Sequence, residues 1–274
     1  MSIIESAYLK SKKDKGDALD EEKREEILAP GGEFSVPRKK EAQDLVSSRK
    51  EISRMSQEAV FEQNDYLSKR LIFSNMPDTI LLNKYRNLRT RLLATSETEN
   101  FVTLVTSVLP GGGSSLVAAN LATTFAFDEA KTAMLIDANI HHPTLNSLLE
   151  VNAEKGLIDY LESEDWKEDE ILYETRIPRL RFVPSGLVRE NSAEYFTSER
   201  MKSFMHHLVS RYPDRYPIID APSIAYSADT QILTELCDKV ILVVKYGQCS
   251  EEEIRKAALA IGREKFAGIV LNQF

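Results

Sequence analysis

The chain has 274 residues, a formal net charge of −8 and 42% hydrophobic residues. This length accommodates one α/β domain with an appendage, and the acidic balance argues against nucleic acid as a partner. Its two cysteines, Cys237 and Cys249, are too few for a disulfide framework and favour a reducing, cytoplasmic location. No apolar run reaches the roughly 18 residues of a membrane span, and no signal-peptide pattern is present. A partner or a surface segment would therefore have to hold the protein at any membrane.

Residues 1–75 are predicted to form a flexible, charged N-terminal arm. Mixed charges, few apolar residues and a Pro-Gly-Gly sequence at 30–32 are typical of such segments. Two short helices are compatible with the pattern, one at the very start and a charged, exposed one within 43–70. The first would place four apolar side chains on one face: Ile3, Ile4, Ala7 and Tyr8. It is either a frayed surface helix or a docking helix for a partner.

Residues 76–274 are predicted to form one globular domain, opened by an amphipathic helix over 80–93. The stripe of that helix consists of Leu81, Tyr85, Leu88 and Leu92. Strands are then predicted at 101–107, 132–137, 180–184, 216–220, 239–245 and 268–272. Helices are predicted near 115–128, 155–163, 193–211, 227–236 and 250–262. Alternation of helices with nearly all-apolar strands predicts a doubly wound, mostly parallel α/β sheet, which binds ligands at the carboxyl ends of its strands.

The first predicted strand leads into a glycine-rich loop, and the loop leads into a helix. This order is the context of a P-loop, where backbone N–H groups and the helix N-terminus bind phosphate. The usual loop reads G-x-x-x-x-G-K-(S/T), but Val108 replaces its first glycine and Ser114 replaces its lysine. The sequence therefore predicts a nucleotide site without its main loop charge. The predicted cofactor-binding residues are Pro110, Gly111, Gly112, Gly113, Ser114 and Ser115.

Two aspartates follow apolar strands that should end near this loop. Asp137 closes the strand at 132–137, and Asp220 closes the strand at 216–220. Carboxylates at these positions hold Mg²⁺ or its water shell beside the phosphates of a nucleotide. A single aspartate at a strand end more often caps the next helix, but three phosphate-site elements in this order indicate an ancestral site. We therefore predict Asp137 and Asp220 as its catalytic residues, and these two with Ser115 as Mg²⁺ ligands.

Residues 80–274 resemble the cytoplasmic domain of bacterial tyrosine kinases of capsule and exopolysaccharide systems, within the deviant-Walker P-loop ATPases related to MinD and ParA. The family loop reads (S/T)-(S/T)-x-x-P-G-x-G-K-(S/T), which residues 106–115 match everywhere except at Ser114. A further family motif, D-x-P after an apolar run, is intact at 220–222. The resemblance implies ATP or ADP with Mg²⁺. It also implies a chain-length-determinant (polysaccharide co-polymerase) protein as the partner that holds the chain at the inner membrane.

Several departures from the family point towards weak or absent catalysis. Besides Ser114, the motif D-x-D-x-R becomes Asp137-Ala138-Asn139-Ile140-His141, and the tyrosine-rich tail of the family does not follow Phe274. The family's oligomerisation motif E-x-x-R-x-x-R keeps Arg86 and Arg89 but has Asn83 in place of glutamate. We therefore expect weak nucleotide binding. We also expect self-association that depends on a partner or on an active kinase paralogue.

Two functions remain open at this point. The first is a non-catalytic, tyrosine-kinase-like protein that regulates or scaffolds exopolysaccharide biosynthesis and export. The second is an active autokinase or ATPase of the same pathway with an unorthodox loop, because another group can replace the lysine. A positioning ATPase on DNA or membrane is a weaker third alternative, since the chain is acidic.

Overall fold

The computed structural model describes residues 52–56, 60–96, 100–189, 192–212 and 214–273. All of them belong to one compact unit, Gln43–Phe274. The predicted helix at the start of the chain lies outside the described residues. Within them, no helix is both long and apolar enough to cross a membrane.

Within the part of the chain that the structure describes, seven strands form one sheet. They are β1 (Thr103–Ser107), β2 (Thr132–Asp137), β3 (Tyr173–Glu174), β4 (Leu180–Val183), β5 (Arg215–Asp220), β6 (Lys239–Lys245) and β7 (Phe266–Asn272). The order across the sheet is β3-β4-β2-β5-β1-β6-β7, and only the pair β3–β4 is antiparallel. Every residue of β1, β2 and β5 is buried, as expected for central strands covered by helices on both faces. The predicted mostly parallel, doubly wound sheet is confirmed.

The helices among the described residues cover both faces of the sheet. Residues 52–55 are helical, and the helices that follow are α1 (Gln63–Ser68), α2 (Thr79–Ala94), α3 (Ser114–Ala126), α4 (Leu145–Leu149), α5 (Leu157–Glu162), α6 (Ser192–Thr197), α7 (Glu199–Ser210), α8 (Ala228–Glu235) and α9 (Glu251–Ile261). A 3₁₀ helix spans Glu168–Ile171. The predicted stripe of α2 packs against the core that contains α3, with Leu92 buried and Leu81, Tyr85 and Leu88 partly buried.

Three local predictions differ from the structure. The single helix predicted at 193–211 is two helices, because Ser198 adopts an extended conformation and its hydroxyl caps α7 by accepting from the Met201 N–H. The short elements β3 and α4 are absent from the predicted pattern. In addition, β7 begins two residues before its predicted start at 268. Short elements contain too few residues for a period to emerge.

The predicted arm ends earlier than residue 75. Side chains from the region 61–76 are buried in the same hydrophobic core as α3 and the central strands. They are Phe61, Tyr66, Leu71, Ile72, Phe73 and Met76. Seven of the sixteen residues from 61 to 76 are apolar, and all of these except Leu67 are buried, which the average composition of residues 1–75 does not reveal. Among the described residues, the globular domain therefore already includes residues 61–76, and the predicted boundary at 75/76 lies too far along the chain.

Asn120, in the middle of α3, fastens this segment to the domain. Its Oδ1 accepts a hydrogen bond from the Ile72 N–H at 2.8 Å, and its Nδ2 donates to the Arg70 carbonyl at 3.1 Å. Asn120 is 2% exposed; its bond to the Ile72 N–H is buried, and its bond to the Arg70 carbonyl is partly buried.

We expect Asn120→Ala to lower the free energy of unfolding by about 1–3 kcal/mol, because it removes both hydrogen bonds and takes the acceptor from the buried Ile72 N–H. Urea denaturation measures the change. Asn87→Ala, at an exposed position of α2, is the matched control and should shift stability by less than about 0.5 kcal/mol. Equal effects of the two substitutions would contradict this role of Asn120.

Candidate functional site

The glycine-rich loop connects β1 to α3 at the carboxyl edge of the sheet. Gly113 is the N-cap of α3 and has φ = 86°, a left-handed conformation that glycine adopts without strain. Helix α3 then begins at Ser114. The N–H groups of its first turn have no acceptor within the helix, so they are available to an anion in front of the loop.

Asn272, at the end of β7, packs directly on this loop. Its Nδ2 donates to the Gly112 carbonyl at 2.9 Å, and a Cβ atom at Gly113 would collide with the same amide. Position 113 therefore requires glycine for its backbone conformation and for the close approach of Asn272. The sequence predicted the strand that carries Asn272, but nothing in the sequence indicated this contact.

Hydrogen bonds join the loop to the segment that follows β5. The Thr106 hydroxyl donates to the Pro222 carbonyl at 2.5 Å, and the Ile224 N–H donates to the Ser107 carbonyl at 3.0 Å. The Ser107 hydroxyl in turn donates to the Leu109 carbonyl at 2.8 Å. The phosphate-type loop and the D-x-P segment are thus held in one fixed arrangement.

Asp137 and Asp220 lie side by side at the ends of adjacent parallel strands, where the register pairs them directly. Asp137 Oδ1 accepts a hydrogen bond from the Asn139 N–H at 3.0 Å. Its other oxygen and both oxygens of Asp220 are buried and have no hydrogen-bond partner among the described residues. Buried carboxylate oxygens are costly to leave unpaired, so this pair fits a bound cation.

Burial has a large effect on both carboxyl groups. It raises the pKa of Asp137 to about 7. Burial, and then the charge of Asp137, raise the pKa of Asp220 well above its usual value. The hydroxyls of Ser115 and Ser114 lie near enough to offset part of this increase, although neither reaches hydrogen-bonding geometry. The pair therefore holds a proton around neutral pH unless a positive charge is bound beside it.

A cleft of about 1370 Å³ opens in front of the loop. All six predicted cofactor-binding residues, Pro110, Gly111, Gly112, Gly113, Ser114 and Ser115, line it. The predicted metal ligands Asp137 and Asp220 are instead buried and do not line the cleft. The structure thus brings the predicted residues together in two layers, with the phosphate loop above the carboxylate pair.

Sequence reasoning missed most of the other cleft residues. Many of them follow β2 or β5 in the chain: His142, Thr144, Ser147, Ser223, Tyr226 and Asp229. Their position after strand ends could have indicated them, because loops at this edge meet at the ligand. Ser192, whose hydroxyl donates to Asp229 Oδ2 at 2.6 Å, and Lys69 come from distant parts of the chain. No local sequence signal points to either of these two.

Arg86 and Arg89, the predicted oligomerisation residues, have different surroundings. Arg86 is exposed on α2. Arg89 is half-buried, and its Nη1 donates to the Thr124 carbonyl in the last turn of α3 at 2.8 Å, where a cation is favoured by the helix dipole. Arg89 therefore has a role within the subunit, and Arg86 is the arginine left facing solvent.

The comparisons with known proteins agree with this geometry, although no protein-family model matches the chain. The chain is 30% identical over 209 residues to the tyrosine-protein kinase YwqD of Bacillus subtilis, covering 75% of this chain and 86% of YwqD. It is 28% identical over 225 residues to EpsB of Ralstonia nicotianae, covering 81% of this chain but only 29% of EpsB. The kinase domain of the Escherichia coli tyrosine kinase ETK superposes with a TM-score of 0.66 at 22% identity, covering 78% of this chain and 87% of that one.

The parallel sheet, the glycine loop before α3 and the two strand-end aspartates define a P-loop NTPase-like domain. Within that class, the similarity to YwqD places the chain in a particular family. The chain belongs to the bacterial tyrosine-protein kinases.

The carboxylate pair leads to a prediction about stability and pH. An unfolded aspartate has a pKa of about 4, so the folded state binds more protons than the unfolded state between pH 4 and 7. The stabilisation from the protonated pair is complete below about pH 4 and is lost as the pH rises through about 7. Without Mg²⁺, we expect Asp220→Asn to stabilise the protein by about 1–3 kcal/mol at pH 8 and by less at pH 5.5.

Urea denaturation in EDTA at the two pH values measures this difference. Asp169→Asn, which removes an exposed carboxylate from the 3₁₀ helix, is the matched control and should change little at either pH. Destabilisation of Asp220→Asn at pH 8 would show that the carboxylate has a partner that the structure does not reveal.

Proposed function

We propose that this member of the tyrosine-kinase family is non-catalytic or weakly catalytic, binds ATP or ADP with Mg²⁺ weakly, and regulates or scaffolds exopolysaccharide biosynthesis and export. The observation that carries the proposal is Ser114. It is the first residue of α3 and is buried against the loop, so the position that would carry the loop lysine carries only a hydroxyl.

The remaining residues are suited to holding a nucleotide. The N–H groups at the start of α3 would bind phosphate oxygens, and Asn272 would keep the loop in shape for them. Ser115, Asp137 and Asp220 would hold Mg²⁺, and the unpartnered carboxylate oxygens support this assignment. When bound, Mg²⁺ neutralises phosphate charge and polarises the phosphoryl group.

The replaced residues would reduce the rate of phosphoryl transfer more than the affinity for nucleotide. The lysine stabilises charge that develops during phosphoryl transfer, and losing it costs on the order of 3 kcal/mol, about a hundredfold in rate. Asn139 also replaces the second aspartate of the family motif, so a side-chain amide stands where the family has a carboxylate. An amide does not accept a proton from a substrate hydroxyl as a carboxylate does.

The second candidate function is an active autokinase or ATPase with an unorthodox loop. It is favoured by the preserved pair Asp137–Asp220, since the raised pKa of Asp137, about 7, is suitable for a general base at neutral pH. Nucleotide binding alone does not distinguish the two functions, whereas product formation does.

The partners proposed for the chain follow from the family. A chain-length-determinant membrane protein would dock on the domain and hold it, as a cytoplasmic protein, at the inner membrane. An active kinase paralogue or a second copy of the chain would assemble with it through the face that carries Arg86. Asn83 cannot form the ion pair that glutamate would form, so self-association should be weak and should depend on the partner.

We expect Ser114→Lys to strengthen ATP binding by at least about tenfold, because it restores a charge-assisted contact to the phosphates. Isothermal titration of the full chain with ATP and Mg²⁺ measures the affinity, and Ser114→Ala is the matched control that removes the hydroxyl without adding charge. Submicromolar binding by the wild-type protein would contradict weak binding. An unchanged affinity in Ser114→Lys would contradict a preserved phosphate loop.

We expect no phosphotyrosine when the purified protein is incubated with ATP and Mg²⁺, because the lysine and the second aspartate are both replaced. Immunoblotting detects the product, and a family kinase such as YwqD treated in parallel is the positive control. A phosphotyrosine signal that disappears in Asp137→Ala would overturn the non-catalytic assignment and establish the autokinase.

A further inference from the structure

We propose that Lys69 supplies, from within the same subunit, the phosphate-binding charge that the loop lacks at Ser114. The inference rests on the proposed nucleotide site and identifies a residue that takes part in it. Lys69 lines the same cleft as Gly111–Ser115. Among the described residues that line this cleft, it is the one lysine or arginine side chain.

The backbone of Lys69 is fixed relative to the loop. Lys69 is the C-cap of α1, and the next residue, Arg70, is held by the side chain of Asn120 in α3. The N-terminus of α3 is itself the end of the phosphate loop, so one rigid helix carries the anchor of Lys69 and the candidate phosphate site. The lysine therefore does not depend on a loose segment to reach the cleft.

The Lys69 side chain makes contacts that it could exchange for a contact with a phosphate. Its Nζ lies 3.0 Å from Glu150 Oε1 and 5.5 Å from the centre of the Phe61 ring. Glu150 also accepts a hydrogen bond from Arg176 Nη1 at 2.9 Å. Glu150 would therefore keep a cationic partner when Lys69 turns towards a phosphate, and no carboxylate would be left unpaired.

The chemistry of lysine suits this exchange. Its ammonium group is a point charge on a flexible four-carbon stem, which can follow a phosphate without a fixed approach angle. A triphosphate is a stronger electrostatic partner than one half-exposed carboxylate shared with Arg176. Arg89, by contrast, is held by the Thr124 carbonyl at the opposite end of α3 from the loop and does not line the cleft.

Titration of full-length Lys69→Met with ATP and Mg²⁺ tests the proposal. Methionine keeps an unbranched side chain of similar length but removes the charge, so we expect affinity for ATP to fall on the order of tenfold. Lys69→Arg should keep most of the affinity. Lys84→Met, at an exposed position of α2, is the matched control and should bind like the wild type.

Two further measurements separate this role from a structural one. Glu150→Gln weakens the present partner of Lys69 and should strengthen ATP binding a fewfold, whereas a purely structural ion pair would lose affinity or stability in that variant. Thermal unfolding of Lys69→Met without nucleotide should match the wild type. A reduced affinity with an unchanged melting temperature then assigns the effect to the missing charge.

The outcomes also distinguish this inference from the proposed function. If the wild type and Ser114→Lys bind ATP while Lys69→Met binds as tightly as the wild type, the inference fails and the nucleotide site stands. If neither the wild type nor Ser114→Lys binds ATP, the nucleotide site fails and the inference fails with it.

Discussion

Helix α3 is the constraint on which the rest of this domain depends. Every residue from Val117 to Ala126 is buried, so the helix has no solvent-facing side and its position is fixed by packing all round. Its first turn completes the phosphate-type loop, its middle holds the upstream segment through Asn120, and its last turn accepts a hydrogen bond from Arg89. The site and its flanking segments are therefore parts of one packed unit.

The buried pair Asp137–Asp220 lowers the stability of the folded domain. Two aspartates on adjacent strands repel each other and lose their hydration on burial, so folding disfavours their ionised forms. A core that served only stability would place apolar or hydrogen-bonded side chains at these positions. Asp137 and Asp220 are therefore consistent with the cation site proposed for them. This supports a nucleotide site even where the loop lysine is replaced.

The main sheet and the floor of the site could be predicted because their signals are local. An apolar run of five or more residues indicates a buried strand. An aspartate or a glycine loop directly after the run indicates which end of the strand faces the ligand. Asp137, Asp220 and the loop residues 110–115 were found in this way. The break at Ser198 was missed because the apolar pattern continues across it, although a serine before a glutamate is itself a capping signal.

The walls of the site could not be predicted, because their residues come from distant parts of the chain. Asn272 reaches the loop from the last strand, and Lys69 reaches the cleft from a segment that the overall composition of residues 1–75 assigned to the arm. The packing of Phe61 and Tyr66 into the core and the hydrogen bonds of Asn120 place that segment beside α3. Contacts of this kind depend on the tertiary fold and leave no period or motif in the sequence.

Moving the phosphate-binding charge from the loop to Lys69 would change how the protein responds to nucleotide. A lysine in the loop acts on the phosphates without involving the rest of the chain. Lys69 instead leaves Glu150 when it binds, so occupancy of the cleft would alter the ion pairs that connect α1, α4 and the segment around Arg176. Nucleotide binding would then change the arrangement of charged side chains on the surface beside the upstream segment. That coupling suits a regulatory subunit better than it suits an enzyme, because a regulatory subunit must signal that nucleotide is bound but need not convert it.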